Sequence, residues 1–255
     1  MNQNVGTRNQ HINKRIFLAG ASGAIGRQLA PLLVAGGWQV LGSTRSEDKL
    51  AMLRGLGIDA VVVDVFDSVR LREIMLDFQP RTVIHQLTDL PYALESSKMA
   101  DALVRNARLR DEGTRSLVKA ATLAGAKQLI AQSISFIYAD GPLPHKEEDP
   151  LLVDTHPIYG GTVVGVKSLE GQVLSAALEG IILRYGLLYG PGTGFDAPVA
   201  PGSVHVSAAA KAADLAVTRG KPGIYNIAEN DGCVTTEKAT QILGWDPNWR
   251  TFAHS

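Results

Sequence analysis

The sequence carries a single cysteine, Cys233, among 255 residues. No intrachain disulfide and no cysteine-rich zinc site can form from it, which fits a reducing compartment. It has no charge surplus either: 25 basic residues stand against 25 acidic ones. A protein that lives by neutralising phosphate backbone usually carries a basic excess, so dedicated nucleic-acid binding is disfavoured. Aromatic residues make up only 6%, and Trp38, Trp245 and Trp249 form no stacking platform readable from spacing. No apolar stretch approaches the roughly 18 residues of a membrane span. The polar segment Met1 to Lys14 lacks the apolar core of about 7–15 residues that a signal peptide needs. No His/Asp/Glu spacing suggests a metal, and no G-x-S-x-G hydrolase elbow is present. The expectation is a soluble cytoplasmic protein with a flexible tail over 1–14 and one domain over 15–255.

What is present is a globular composition, 45% hydrophobic and 20% charged, long enough to bury a substantial core. Short aliphatic runs read as buried strands: Ile16 to Ala19, Gln39 to Leu41, Ala60 to Val63, Thr82 to Ile84, Gln128 to Ala131, Ile181 to Leu183 and Ile224 to Ile227. Helical periods lie between them. Ile25, Leu29, Leu32 and Leu33 recur at i, i+4, i+7, i+8. Leu103, Leu117 and the alanines near 120–124 mark a long helix, and Val166, Leu169 and Val173 another. This alternation predicts an α/β fold with a doubly wound parallel sheet covered on both faces. Pro31 falls inside the first helix, where it should cost about 3 kcal/mol or kink it.

The strongest motif is Gly20-Ala21-Ser22-Gly23-Ala24-Ile25-Gly26, which leaves the first strand and opens the first helix. Glycines at 20, 23 and 26 allow a tight turn, close backbone approach to a pyrophosphate, and close helix–strand packing. The helix N-terminus then offers free N–H groups and partial positive charge to the anion. At the tip of the second strand an acidic residue would select NAD and an arginine the 2′-phosphate of NADP. The tip reads Gly42-Ser43-Thr44-Arg45-Ser46, with no acid. Arg45 offers a planar fork suited to phosphate, so NADP(H) is expected, with NAD as the alternative.

Further segments extend the pattern. They are Val61-Val62-Val63-Asp64-Val65, Val83-Ile84-His85-Gln86-Leu87-Thr88, Gln132 to Tyr138, Leu183-Arg184-Tyr185-Gly186-Leu187-Leu188-Tyr189-Gly190-Pro191-Gly192, and Tyr225-Asn226-Ile227 with Leu243-Gly244-Trp245. With the G-x-x-G-x-x-G turn, they make the chain resemble the extended short-chain dehydrogenase/reductase superfamily, and within it the NAD-dependent epimerase/dehydratase family, from Arg15 to about Trp249. The resemblance implies a Rossmann fold. It assigns Asp64 to the adenine amino group with Val65 beside it, and Gln86, Leu87 and Thr88 to the cofactor's sugar–phosphate. It also implies homodimerisation through two long helices, at about 100–124 and 162–178.

The chemistry the resemblance implies rests on a Ser or Thr, a Tyr, and a Lys four residues after the Tyr, whose charge lowers the tyrosine pKa. Here the pattern breaks. Ser133 matches the first serine of the relevant segment, but the position most often catalytic is Ile134. Ser133 is the candidate for orienting a substrate oxygen, and the same residue reads equally as a strand-end hydrogen-bonding serine. Tyr159 enters the catalytic helix, yet four residues on stands Val163, and the nearest lysine is Lys167. On one helix Tyr159 and Lys167 would lie about 12 Å apart along the axis and would not converge. They meet only if Gly160-Gly161 stays in the loop, with Thr162 as N-cap. Otherwise Tyr159 packs at the pocket rim and Lys167 is a solvated lysine.

Between Gly194 and Val204 only nine residues, Phe195 to Ser203, are available where relatives carry a long substrate-binding stretch. This predicts a reduced C-terminal lobe over about 186–255 and makes a nucleotide-sugar substrate less expected. His85, inside an apolar strand, reads as a packing residue. Taken together, the residues point to an NAD(P)-dependent oxidoreductase or epimerase-like enzyme acting on a small hydroxyl or carbonyl substrate. Hydride would pass near Ser133 and the Tyr185-Gly186-Leu187 segment. The alternative is a dinucleotide-binding sensor or interaction protein that kept the turn and lost the chemistry.

Overall fold

A computed structural model describes residues 13–251. Most of the tail expected over 1–14 lies outside the described residues. Seven strands form one parallel sheet. In chain order they are β1 (Arg15–Ala19), β2 (Gln39–Thr44), β3 (Asp59–Val62), β4 (Thr82–His85), β5 (Gln128–Ile134), β6 (Glu179–Tyr185) and, after two short strands described below, β9 (Gly223–Ile227). Their spatial order is β3-β2-β1-β4-β5-β6-β9. Every pairing is parallel, with Ile16 opposite Val40 on one side and Thr82 on the other. The strand order reverses at β1, so the crevice at the C-terminal ends of β1 and β4 is the ligand-binding position of such a sheet.

The helices are α1 (Ala24–Ala35), α2 (Leu50–Gly55), α3 (Ser68–Phe78), α4 (Ser96–Arg108), α5 (Thr114–Leu123), α6 (Gly160–Ser175) and α7 (Val206–Arg219). A turn of π-helix, Leu109–Gly113, joins α4 to α5 without a break. One core layer packs α1 and α7 on the sheet through Leu29, Leu33, Ile130, Leu183 and Ala213. The other packs α3, α5 and α6 on the opposite face through Phe17, Leu71, Leu117, Leu129 and Val173. Strands buried on both faces need no polar alternation, which is why they read as continuous aliphatic runs.

Pro31 does not break α1. Its ring removes the partner of the Arg27 carbonyl, but Arg27 and Pro31 both lie on the exposed face, where water can take that bond. Of the stretch expected as a reduced C-terminal lobe over about 186–255, α7 and β9 pack as part of the main sheet and its core. Outside them, a two-stranded sheet pairs β7 (Leu187–Tyr189) with β8 (Ser203–His205). At three residues each, these strands are too short for period reading. The segment after β9 returns to α7, where the buried Trp245 donates its indole N–H to the Ala208 carbonyl at 2.8 Å.

Candidate functional site

A groove opens at the C-terminal ends of β1 to β4. Gly20, Ser22, Gly23, Arg45, Asp64, Val65, Gln86, Leu87 and Thr88 all line it, as the sequence led one to expect. Ala24, Ile25 and Gly26 complete the turn behind it. Gly20 holds φ +81°, and a Cβ there would lie 2.6 Å from the Gln86 carbonyl oxygen. A Cβ on Gly26 would collide with the carbonyls of Gly20 and Ala21. Two of the three glycines are therefore demanded by backbone contact. Gly23 is the N-cap of α1 and supplies no side-chain cap, so the first N–H groups of the helix stay open for an anion. This cradle fits a dinucleotide pyrophosphate.

The groove also contains residues the sequence reading missed. Thr44, at the tip of β2, shares a hydrogen bond of 3.1 Å with Ser22. Leu109 and Leu117 line the groove from the helices that pack on one face of the sheet. Thr44 could have been found from its place beside Arg45. Leu109 and Leu117 come from helices remote in sequence, so no local signal marks them. Arg45 stands 3.5 Å from the Asp89 carboxylate, which also accepts from Arg105 at 3.3 Å.

Several expected residues lie elsewhere. Tyr185 and Gly186 are buried, and with Leu187 they are not part of the groove lining. The Tyr185 hydroxyl accepts from the Gln86 amide at 3.3 Å, and burial pushes this phenol above its ordinary pKa. Gly186 packs on the Gly202 carbonyl. Ser133, near the C-terminal end of the interior strand β5, is buried and donates to Glu170 at 2.7 Å. Glu170 in turn takes two bonds from Arg184, at 2.9 and 2.7 Å. Arg184 continues to the Tyr138 hydroxyl at 2.8 Å and the Glu147 carbonyl at 3.0 Å. Ser133 is thus tied into a buried hydrogen-bond network near the end of β5.

The Tyr–Lys pair does not assemble. Helix α6 begins at Gly160, with Tyr159 as its N-cap and Thr162 buried inside it, so the loop that could have folded Tyr159 back does not exist. Lys167 pairs with Asp154 at 2.6 Å on the exposed face. Tyr159 is half-exposed beside His156, with ring centroids 5.3 Å apart. Val163 is fully buried. Aliphatic side chains, Ile134 and Val163, hold the two positions where a hydroxyl and a cation would complete proton transfer.

His85 packs as expected. It is fully buried and bonds to Thr114 at 3.1 Å. Burial, helped by the charge of Arg110, lowers its pKa to about 4, so the ring is neutral at physiological pH. Among the described residues no group of His, Cys, Asp and Glu could hold a metal ion, and no helix is long and apolar enough to cross a membrane.

The model of the NAD dependent epimerase/dehydratase family matches residues 16–217. A 3-diazoavenalumate denitrifying reductase from Streptomyces is 42% identical over 184 residues, covering 71% of this chain and 58% of that protein. The methionine adenosyltransferase 2 subunit beta of Bos taurus is 27% identical over 183 residues, covering 70% of this chain and 48% of that protein. The chain therefore spans about half the length of these relatives. Among solved structures, a UDP-glucose 4-epimerase from Thermotoga maritima, crystallised with UDP-glucose, superposes with a TM-score of 0.75 at 18% identity, covering 92% of this chain and 94% of that one.

Proposed function

Because the chain belongs to the NAD dependent epimerase/dehydratase family, we propose that it is an NADP(H)-dependent reductase that adds hydride to a small substrate without a Tyr–Lys proton relay. The observation that carries this reading is the groove at the switch point of the sheet, where the glycine turn, Arg45, Asp64 and Gln86 to Thr88 converge. A bound nicotinamide dinucleotide supplies the hydride. Open N–H groups at the start of α1 would hold the pyrophosphate, and Asp64 with Val65 the adenine. Arg45, joined by Ser22 and Thr44, would hold the 2′-phosphate that distinguishes NADP from NAD.

A carbonyl or hydroxyl substrate, as expected from the sequence, requires a proton partner that neither Ile134 nor Val163 supplies. The reductase from Streptomyces is named for removing nitrogen from a diazo compound. A diazonium carbon that accepts hydride gains a C–H bond, its C–N bond breaks, and the bonding pair leaves with dinitrogen. No proton is drawn from the protein, so an aliphatic site suffices. Ile134 and Val163 would then exclude water from the electrophilic carbon.

The test uses the purified chain with an arenediazonium salt and NADPH deuterated at nicotinamide C4. The expected result is deuterium on the aryl carbon at a rate above the protein-free control, with Tyr159→Phe and Lys167→Ala unchanged. Arg45→Ala should weaken NADPH by roughly tenfold or more, the loss of a charged hydrogen bond, and leave NADH unaffected. If NADPH binds but neither the diazonium nor a carbonyl panel is reduced, the reductase reading fails.

A second reading is then favoured by Val163 and by the likeness to a subunit beta: a dinucleotide-binding partner protein without chemistry of its own. Homodimerisation belongs with both readings. Val104 on α4 and Val164 on α6 are 72% and 51% exposed, an apolar pair on two adjacent helices.

A further inference from the structure

The π-helical turn between α4 and α5 carries a cation with nothing to bind. Arg110 is only 8% exposed, yet among the described residues its guanidinium makes no hydrogen bond and no ion pair. The nearest buried acid, Glu170, has both carboxylate oxygens committed to Arg184 and one also to Ser133. A guanidinium brings five N–H donors, and an unpaired buried charge is costly. None of its nitrogens is both sealed and unpartnered, since Gln86 Oε1 is the one such side-chain atom among the described residues. The guanidinium nitrogens therefore keep contact with solvent. Burial pulls its pKa down to about 10, so it remains charged at neutral pH.

Its neighbours on the helix show which part of the sheet it faces. Four residues before it, Asn106 accepts the Asp89 N–H at 3.0 Å, just beyond β4. Four residues after it, Thr114 bonds His85, the last residue of β4. Residues at i±4 share one helix face, so Arg110 faces the C-terminal end of β4. Leu109, directly before it, lines the dinucleotide groove. Helix α6 packs alongside, with Gly165 against Ala107, and presents Val163 where a cation would complete the pair. Single π turns inside helices recur at functional sites.

We propose that Arg110 is the anion-binding residue of this site, taking an oxyanion, a carboxylate or phosphate oxygen, of a ligand that enters the groove at the end of β4. The proposal rests on the reading of the groove as a dinucleotide site, and it adds a positive charge from α4–α5 where α6 supplies none. The ligand oxyanion is either the cofactor's pyrophosphate or a carboxylate on the substrate.

The experiment compares wild type with Arg110→Met, Arg110→Gln and Arg110→Lys. Binding is measured by titration with NADPH, with NADH and with pyrophosphate, and with benzoate against neutral benzamide in the presence of NADP+. The expected result is a loss of roughly tenfold or more for at least one of these anions in the Met and Gln variants, partly retained in Lys. Loss with both dinucleotides and pyrophosphate assigns the oxyanion to the cofactor. Loss with benzoate alone assigns it to the substrate. The unliganded Met and Gln variants should unfold at the same temperature as wild type or higher, because an unpaired charge has been removed. No loss with any anion, or a marked fall in unfolding temperature in both variants, overturns the proposal. Failure of wild type itself to bind NADPH would instead sink the dinucleotide reading.

Discussion

At the scale of single residues, Gly20 is the most constrained position of the site. Its φ of +81° and the Gln86 carbonyl 2.6 Å from a would-be Cβ leave no room for a side chain. Gly20→Ala should cost about 1–3 kcal/mol in unfolding free energy and abolish NADPH binding, read by denaturant titration and fluorescence. His85 governs a pH response. Its folded pKa of about 4 lies below the ordinary 6.5, so the unfolded chain binds the extra proton between those values. This contribution to stability is complete above about pH 6.5 and is lost as pH falls towards 4, by about 3 kcal/mol. Wild type compared with His85→Gln over that range should show this difference. Ser133 illustrates what a sequence hides at this scale. Its type and its place near the end of β5 suit either role, and only Glu170, 37 positions away, decides between them.

At the scale of elements, α6 holds the main departure from the family pattern. Its two ion pairs should respond oppositely to mutation. Lys167–Asp154 is exposed at both ends, so Lys167→Ala should change stability by less than about 1 kcal/mol. Glu170 and Arg184 are buried together. Glu170→Gln should cost about 3–5 kcal/mol in denaturant unfolding, because it strands the Arg184 charge and loosens Ser133. All seven strands of the main sheet and the first helix were legible in the sequence, because each is a long enough aliphatic or 3.6-period run. The start of α6 was not. Gly160-Gly161 reads as loop by propensity, yet a Cβ on Gly160 would strike the Asp154 carbonyl. Tertiary contact decides that Gly160 is glycine for packing, and the helix runs through it.

At the scale of the whole molecule, ligand and self-association are the levers. NADPH at about a hundred times its Kd should raise unfolding free energy by about 2.7 kcal/mol, visible as a thermal shift that Gly20→Ala lacks. If α4 and α6 form a dimer face, Val104→Asp with Val164→Asp should yield a monomer by light scattering. A wild type already monomeric would refute that face. The sequence by itself determined the sheet, the glycine turn and the place of the dinucleotide groove, because these depend on local period and backbone freedom. It also showed the missing lysine, since a residue type at a fixed spacing can be read directly. What stands around that gap was decided only by the tertiary structure. Arg110, Leu109 and Leu117 approach the sheet from the α4–α5 segment, and Glu170 on the neighbouring α6 locks Ser133. Such contacts join residues far apart in sequence, and no periodicity records them.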